Sequence, residues 1–392
     1  SSAASDVYKR QMKFNEQVTR IEPSPLRAFN DMAHKEGAEL FLTLGEPDFH
    51  TPQQVKDACG VALENNKTFY APTMGVAELR REISAFEKQL NGVDYDENEI
   101  MITTGSTEAI MSALFAVVNE GDEVIVPVPA FSMYKPVIEL CKGRYVELNT
   151  APDNFQITEK ALASVVSDKT KAIILTSPNN PTGTILDEKS LLNVYEQVKK
   201  RDMFVICDEC YNQLVYNERR PGFVRFQDLR EKIVYCQSFS KPYAMTGWRL
   251  GYMMASKEFI EQAFKVHQYT TVCANTFIQY AAIEALRFDP APFVEEYRKR
   301  RDYCYDRLVA MGLDVVKPEG AFYIMPNISK FGMSSMEFCT RLVKECKVAV
   351  IPGVCFSAEG YMRIGYCVSM DTIVKALDRL EKFVAGLEKK CA

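Results

Sequence analysis

Short apolar segments alternate with amphipathic segments between about residue 50 and residue 290. The segments 123–126, 171–176, 203–207, 232–237 and 249–254 have the length and composition of buried strands. Between them, segments 107–119, 187–201 and 257–269 carry apolar residues at helical spacing. This alternation predicts an α/β fold, in which a large domain has a mostly parallel sheet covered by helices on both faces.

The pattern changes after about residue 293. A long charged helix is followed by predicted strands at 313–317 and 321–325, a helix, strands at 348–351 and 361–367, and a final amphipathic helix. These elements predict a smaller α+β domain. We expect a large domain over residues 49–292, a small domain over 293–392, and an arm over 12–48 that joins the small domain. We interpret residues 1–11 as a tag or a disordered N-terminus, with the natural chain beginning at Met12.

Composition limits the possible functions. The 392 residues are 47% hydrophobic and 25% charged, with a net charge of −5, which is typical of a globular protein. Acidic and basic residues are interleaved, so we expect no nucleic-acid partner. The longest apolar stretches are far shorter than the roughly 20 residues of a membrane-spanning helix, so we expect no membrane partner.

Cysteine usage favours a reducing, cytoplasmic location. Twelve cysteines are scattered through the chain, many of them in apolar segments. One Cys-x-x-Cys pair, Cys207 and Cys210, could act in redox chemistry, but a strand end with small side chains explains it better. Because there is no second pair and there are only three histidines, we expect no metal site.

Functional residues of such a sheet gather where the parallel strands end. The strand at 232–237 is followed by Ser238-Phe-Ser-Lys241. A lone lysine is usually a solvated surface charge. Here it follows a buried strand and has hydroxyl and aromatic neighbours, so its amine could lose its proton and attack a carbonyl. These are the properties of a lysine that forms a Schiff base.

Asp208 ends the preceding strand, directly after four apolar residues. It could cap a helix that starts at Tyr211, or it could pair with a protonated pyridine nitrogen and keep a cofactor electron-withdrawing. The hydroxyl of Tyr211 could reach the ring oxygen of the same cofactor. Both interpretations of Asp208 stay open on this pattern alone.

Two further strand ends carry turn and helix-start signals. The segment 178–183, Pro-Asn-Asn-Pro-Thr-Gly, has the composition of a turn. The segment 103–109, Thr-Thr-Gly-Ser-Thr-Glu-Ala, joins a strand to a helix. Its hydroxyls and free amides suit a phosphate, although an ordinary helix cap has the same composition.

Taken together, these segments resemble the class I/II aminotransferase family of fold-type I pyridoxal-phosphate enzymes. The resemblance covers residues 12–390 and rests on four motifs: Ser238-x-Ser-Lys241 with Gly247-x-Arg249, the Asn180-Pro-Thr-Gly turn, Asp208-x-x-Tyr211, and Arg363. It implies a seven-stranded type of sheet, pyridoxal phosphate (PLP) as cofactor, and amino-group transfer between an L-amino acid and a 2-oxo acid.

The resemblance also implies roles for individual residues. Lys241 would form the imine and carry the proton, and Asp208 would pair with the pyridine nitrogen. Asn180 and Tyr211 would bind the ring oxygen. The remaining cofactor contacts would be Phe131 stacked on the ring, and Ser106, Thr107, Ser238 and Arg249 around the phosphate.

The substrate carboxylate would be held by Arg363, with Gly45 closing over it. Tyr70 would reach the phosphate of a neighbouring subunit, and the resemblance allows Asn275 to face across the same interface. These contributions imply an obligate homodimer. The resemblance further predicts cis bonds at Val128-Pro129 and Asn180-Pro181.

Two other functions are compatible with parts of this pattern. A PLP-dependent carbon-sulfur β-lyase of the same fold is the main alternative, because fold does not fix reaction. A DNA-binding regulator with an aminotransferase-like domain fits poorly, since the chain is acidic and little sequence precedes Gly45. The donor is undetermined: segment 268–274 lacks the second arginine of some aspartate-specific relatives. Ser24, Pro25 and Leu26 either line the side-chain end of the pocket or form an N-terminal strap.

Overall fold

A computed structural model describes residues 13–218 and 222–391, with side chains up to residue 388. The interpretation of residues 1–11 as a tag, and of Met12 as the natural start, lies outside the described residues. No helix in the described residues is long and apolar enough to cross a membrane.

The helices and strands of the described chain are as follows. The α-helices are Glu16–Arg20 (α1), Pro25–Lys35 (α2), Gln53–Glu64 (α3), Ala77–Asn91 (α4), Ser106–Val117 (α5), Tyr134–Leu140 (α6), Glu159–Ala163 (α7), Glu188–Lys200 (α8), Lys257–Thr270 (α9), Thr276–Leu286 (α10), Ala291–Ala310 (α11), Ser335–Cys346 (α12) and Met370–Cys391 (α13). The strands are Leu40–Phe41 (β1), Ile100–Thr103 (β2), Glu123–Val128 (β3), Arg144–Asn149 (β4), Thr170–Thr176 (β5), Phe204–Asp208 (β6), Ile233–Ser238 (β7), Gly251–Met254 (β8), Tyr323–Ile324 (β9), Val348–Ala349 (β10), Ile351–Pro352 (β11) and Met362–Gly365 (β12).

The large sheet has the strand order β2-β8-β7-β6-β5-β3-β4. The strands from β7 to β4 pair in parallel, whereas β8 is antiparallel to both of its neighbours. The predicted mostly parallel, seven-stranded sheet is therefore confirmed. Its inner strands are buried along most of their length, which explains why they appear in the sequence as nearly continuous apolar runs.

Two details of this sheet differ from the sequence prediction. Strand β8 begins at Gly251 and not at residue 249, because Arg249 has a φ of 54°, which is incompatible with an extended strand. Strand β4 was not predicted. It lies at the edge of the sheet and has several exposed polar residues, so it lacks the apolar run of the inner strands.

The smaller unit contains a three-stranded antiparallel sheet, β11-β12-β9, and the parallel pair β1-β10. The prediction of a strand at 313–317 is wrong: only Asp314 forms an isolated bridge, to Asn327. The backbone N–H groups of Glu319 and Gly320, just beyond this segment, donate to the carbonyl of Gly183 instead of extending a ladder. The residues after this segment therefore bond to the turn that follows β5.

The buried apolar residues form separate clusters around the two sheets. One cluster combines residues 29–42 and 210–216 with residues from 294 to 387, so the N-terminal arm packs on the smaller unit. The other two clusters lie on opposite faces of the large sheet and draw on residues between 55 and 285. Residues 210–216, which directly follow β6, thus link the end of the large sheet to the smaller unit.

Candidate active site

A cavity of about 790 Å³ lies where the parallel strands end, between the two units. Strand β3 continues outward to β4 on one side, while β5, β6 and β7 follow on the other side, so the strand order changes direction here. The cavity wall contains every predicted cofactor and substrate residue except Tyr70: Gly45, Ser106, Thr107, Phe131, Asn180, Asp208, Tyr211, Ser238, Lys241, Arg249 and Arg363.

Lys241 lies in the turn that follows β7. Its Nζ donates a hydrogen bond of 2.6 Å to the carbonyl of Gly45, which belongs to the N-terminal arm. Burial lowers the pKa of Lys241, because the charged amine loses its hydration. A neutral amine at the wall of a cavity can act as a nucleophile toward a carbonyl group and can accept a proton.

Asp208 is the last residue of β6 and is buried. The hydroxyl of Tyr134 donates to its Oδ2 at 2.7 Å, whereas its Oδ1 has no hydrogen-bond partner among the described residues. Burial raises the pKa of Asp208, and the bond from Tyr134 opposes this rise. A buried carboxylate oxygen without a donor is costly, so it fits a ligand that brings its own N–H, such as a protonated pyridine.

No helix starts at Tyr211, because residues 210–213 form turns, and the interpretation of Asp208 as a helix cap is wrong. The hydroxyl of Tyr211 lies 2.8 Å from the hydroxyl of Tyr323 on β9. Burial raises the pKa of Tyr211 well above its usual range, so the phenol keeps its proton and can donate it to an oxygen in the cavity.

Arg363 lies on β12 and is 1% exposed. Its Nη1 donates to Oδ1 of Asn180 at 3.0 Å, and its guanidinium lies 4.6 Å from the ring of Tyr323 and 4.7 Å from that of Phe356. Its Nε has no partner in the described part of the chain. A buried, rigidly packed guanidinium with a free N–H is suited to bind a planar carboxylate.

The start of α5 forms a concave surface for an anion. Gly105 precedes the helix with a φ of 82°, and a Cβ there would lie 3.0 Å from Nη2 of Arg249. Ser106 and Thr107 are the first two residues of the helix, where backbone N–H groups lack helical partners. On the other side, the hydroxyl of Ser238 donates to that of Ser240 at 2.9 Å. The charge and shape of this surface fit a phosphate group.

Phe131 follows β3 after the cis bond Val128-Pro129. The two predicted cis bonds, at Pro129 and Pro181, are confirmed, and the bond Ser177-Pro178 is also cis. The ring of Phe131 packs edge-on against Tyr134, with ring centroids 6.0 Å apart, and forms part of the cavity wall.

Tyr70 and Asn275 lie outside the cavity wall. The side chain of Tyr70 is 88% exposed, and Asn275 is also exposed. The two segments are joined, because the hydroxyl of Thr276 donates to the carbonyl of Phe69 at 2.6 Å. They therefore form one exposed surface.

The sequence did not indicate Tyr134, Thr176 or Tyr323, although all three line the cavity. Thr176 and Tyr323 lie within predicted strands and Tyr134 in a segment without a prediction, and only the fold brings them to Asp208 or Tyr211. Ser24, Pro25 and Leu26, at the start of α2, also line the cavity, which agrees with the first of the two interpretations given for them. No group of three or more potential metal ligands occurs among residues 13–218 and 222–391.

The site therefore combines a half-buried lysine, a buried carboxylate, a surface that fits an anion, and a buried arginine whose Nε has no partner in the described residues. These residues fit the chemistry of a PLP enzyme. Comparison with known proteins defines the family. The family model of aminotransferase class I and II matches residues 39–380. A probable N-acetyl-LL-diaminopimelate aminotransferase of Bacillus subtilis is 42% identical, covering 94% of this chain and 95% of the relative.

Two further similarities extend over nearly the whole chain. An aspartate aminotransferase of Pyrococcus abyssi is 39% identical, covering 97% of this chain and 100% of the relative. The crystal structure of an aromatic aminotransferase from Pyrococcus horikoshii has a TM-score of 0.87 and 38% identity, covering 94% of this chain and 100% of that one.

The chain belongs to the aminotransferase class I and II family. It is a PLP-dependent enzyme that transfers an amino group between an amino acid and a 2-oxo acid. The β-lyase alternative has no support among these relatives.

Proposed function

We propose that three groups of residues in the cavity wall carry out transamination. Lys241 transfers the proton, Asp208, Tyr211 and Asn180 bind the cofactor ring, and Arg363 binds the substrate. The observation that carries this assignment is the position of Lys241, the free Oδ1 of Asp208 and the free Nε of Arg363 in the wall of one cavity. When bound, PLP supplies an electron-withdrawing ring that makes the α-hydrogen of an amino acid acidic.

Lys241 holds the cofactor covalently and moves the proton at the substrate α-carbon. Its lowered pKa supports both tasks, because it increases the share of the neutral amine, and only the neutral form can bond to an aldehyde or accept a proton. Asp208 holds a proton on the ring nitrogen through the oxygen that lacks a partner. Asn180 and Tyr211 would bind the ring oxygen, and Phe131, in the cavity wall, would contact the ring.

Ser106, Thr107, Ser238 and Arg249 hold the phosphate at the start of α5. Tyr70 reaches the same phosphate from a second subunit. The high exposure of Tyr70 and its position outside the cavity support this arrangement, since a tyrosine so exposed in one chain can be covered in a homodimer. In the homodimer, Asn275 lies at the same interface.

Arg363 binds the α-carboxylate of the amino acid or the 2-oxo acid, and Gly45 closes over the substrate. A Cβ at position 45 would lie 1.8 Å from the hydroxyl of Tyr323, so a residue with a side chain there would have to displace Tyr323. The arm over residues 12–48 and the unit over 293–392 together form the small domain, and residues 49–292 form the large domain. The enzyme acts in the cytoplasm, which the many buried free cysteines support.

The test is a visible absorption spectrum of the purified enzyme with PLP, before and after single amino acids are added without an acceptor. We expect a visible band of the covalently bound cofactor that Lys241→Ala abolishes, and its conversion by those amino acids that are donors. Aspartate, phenylalanine and alanine form the first panel. A band that no amino acid changes, or the release of pyruvate and ammonia instead, would contradict the proposal.

A further inference from the structure

A buried histidine and glutamate lie beside the proposed phosphate site but outside the cavity wall. His267, in α9, is fully buried, and Glu108, in the first turn of α5, is 8% exposed. Their side chains are in contact, with 2.5 Å between Nδ1 of His267 and Oε1 of Glu108. The assignments made so far give this pair no role.

The hydrogen bonds of the pair fix its orientation. Nε2 of His267 lies 2.9 Å from the carbonyl of Thr73, which can only accept, so this nitrogen carries a proton. The other oxygen of Glu108, Oε2, accepts from the backbone N–H of Thr104 at 2.6 Å. One further proton lies between Nδ1 and Oε1, whichever group holds it. The pair therefore joins Thr73 to Thr104 through three hydrogen bonds in series.

At one end, this series reaches the turn that precedes α5. Thr104 is followed by Gly105, whose missing side chain leaves room for Nη2 of Arg249, and then by Ser106. These residues surround the proposed phosphate position. A displacement of Thr104 would therefore change the shape of the surface that binds the phosphate.

At the other end, the series reaches the segment that carries Tyr70. Thr73 lies three residues after Tyr70, and the same segment is held by the bond from Thr276 to Phe69 and by a bond of 3.0 Å from the N–H of Ile102 to the carbonyl of Met74. His267 and Glu108 thus link the proposed intersubunit segment to the proposed phosphate turn, beside the backbone bond between Ile102 and Met74.

We propose that His267 and Glu108 are positioning residues that hold the phosphate turn of one subunit in a fixed relation to its own Tyr70 segment. Each subunit would then present Tyr70 to its partner only when its own phosphate turn is correctly formed. This inference rests on the proposed function, specifically on a phosphate at the start of α5 and on Tyr70 crossing the interface. A pair that only stabilised the packing of α5 on α9 would not discriminate between ligands with and without a phosphate.

The first test compares PLP with pyridoxal, which has the same ring and no phosphate. For each variant we measure both dissociation constants from the visible absorption band after cofactor exchange. We expect Glu108→Ala to reduce the preference for PLP by about tenfold, as the loss of a charge-assisted hydrogen bond does. Glu108→Gln should stay within about twofold of wild type, since an amide can accept from Thr104 and donate to His267.

Ser112→Ala is the matched control, because Ser112 is a buried polar residue of the same helix whose hydroxyl has no partner among the described residues. It should leave the preference unchanged. An unchanged preference in Glu108→Ala would overturn the inference. A wild-type enzyme without any preference for PLP over pyridoxal would instead contradict the proposed phosphate site.

The second test is a double-mutant cycle on PLP affinity with Tyr70→Phe and Glu108→Ala. If the pair acts through the Tyr70 segment, the double variant should lose less affinity than the product of the single losses, by at least about threefold. Losses that multiply would overturn the coupling. If Tyr70→Phe leaves the PLP affinity unchanged, both this coupling and the proposed role of Tyr70 are contradicted.

Discussion

Tyr134 is the residue whose replacement tests the proposed electrostatics of the site most directly. Its hydroxyl lies 2.7 Å from Oδ2 of Asp208 and 2.7 Å from Oγ1 of Thr176. An ionised carboxylate can only accept, so Tyr134 donates to Asp208 and Thr176 donates to Tyr134. Tyr134→Phe removes the donor and keeps the ring, whose packing in the buried site is thereby retained.

The size of the effect follows from this geometry. A hydrogen bond to a charged group contributes about 1.5–3 kcal/mol, and its loss leaves Oδ2 of a buried carboxylate without this donor. If about half of that free energy is lost in the transition state, kcat/KM falls about three- to tenfold. The loss should be similar for the amino acid and the 2-oxo acid half-reactions, because Asp208 serves both.

The change should also alter the pH dependence. Burial already raises the pKa of Asp208, and the bond from Tyr134 holds it down, so its removal raises this pKa further. A carboxyl group is charged above its pKa and neutral below it. As the pH falls, the variant therefore loses the charged form of Asp208 at a higher pH than the wild type does, and its acid limb moves to higher pH.

The assay is stopped-flow measurement of each half-reaction as a function of pH. Tyr297→Phe is the control, because Tyr297 is fully buried and its hydroxyl has no hydrogen-bond partner in the described residues. It should leave both kcat/KM and the acid limb unchanged. A Tyr134→Phe enzyme with kcat/KM within about twofold of wild type and an unmoved acid limb would refute the reasoning.

Three further outcomes are expected. Arg363→Lys should raise the KM for amino acids and 2-oxo acids by about tenfold or more, because an ammonium group cannot form two parallel bonds to a carboxylate; equal steady-state constants would contradict this. Gly45→Ala should lower kcat at unchanged PLP content, since the new Cβ must displace Tyr323, and full activity would contradict the contact. Burial raises the pKa of Cys367 to about 11, so at pH 8 only about one thiol in a thousand is ionised. Mass spectrometry after iodoacetamide treatment should find Cys367 unmodified in the folded enzyme and modified after unfolding.

The large sheet was accessible from the sequence because its strands are buried. Apolar runs such as those of β5, β6 and β7 have no other common explanation when helical segments separate them. The edge strand β4 was missed because exposed polar residues interrupt its pattern. Segment 313–317 was wrongly predicted as a strand, since composition gives the propensity of a segment but not whether a partner strand lies beside it.

Site residues that stand out in a short stretch of sequence could also be predicted, whereas those defined by contacts between distant parts of the chain could not. Lys241 and Asp208 could be predicted because a charge within a few residues of the end of a buried strand stands out in a short window of sequence. Tyr134 and Tyr323 could not, because their contacts with Asp208 and Tyr211 join residues 74 and 112 positions apart. A tyrosine among apolar residues is common in any sequence, and only the fold shows which polar group it contacts.

The unpredicted residues are also the ones that give the predicted residues their properties. Asp208 has one oxygen bonded to Tyr134 and the other free, so the direction from which a ligand can donate is fixed. The hydroxyl of Tyr323 contacts that of Tyr211, and its ring packs against Arg363, so Tyr323 joins the proposed cofactor residues to the proposed substrate residue. Because Tyr323 lies on β9, in the smaller unit, a movement of that unit on substrate binding would shift Arg363 and the partner of Tyr211 together. If Arg363 binds the substrate as proposed, substrate binding and the hydrogen bonding of Tyr211 are coupled through Tyr323.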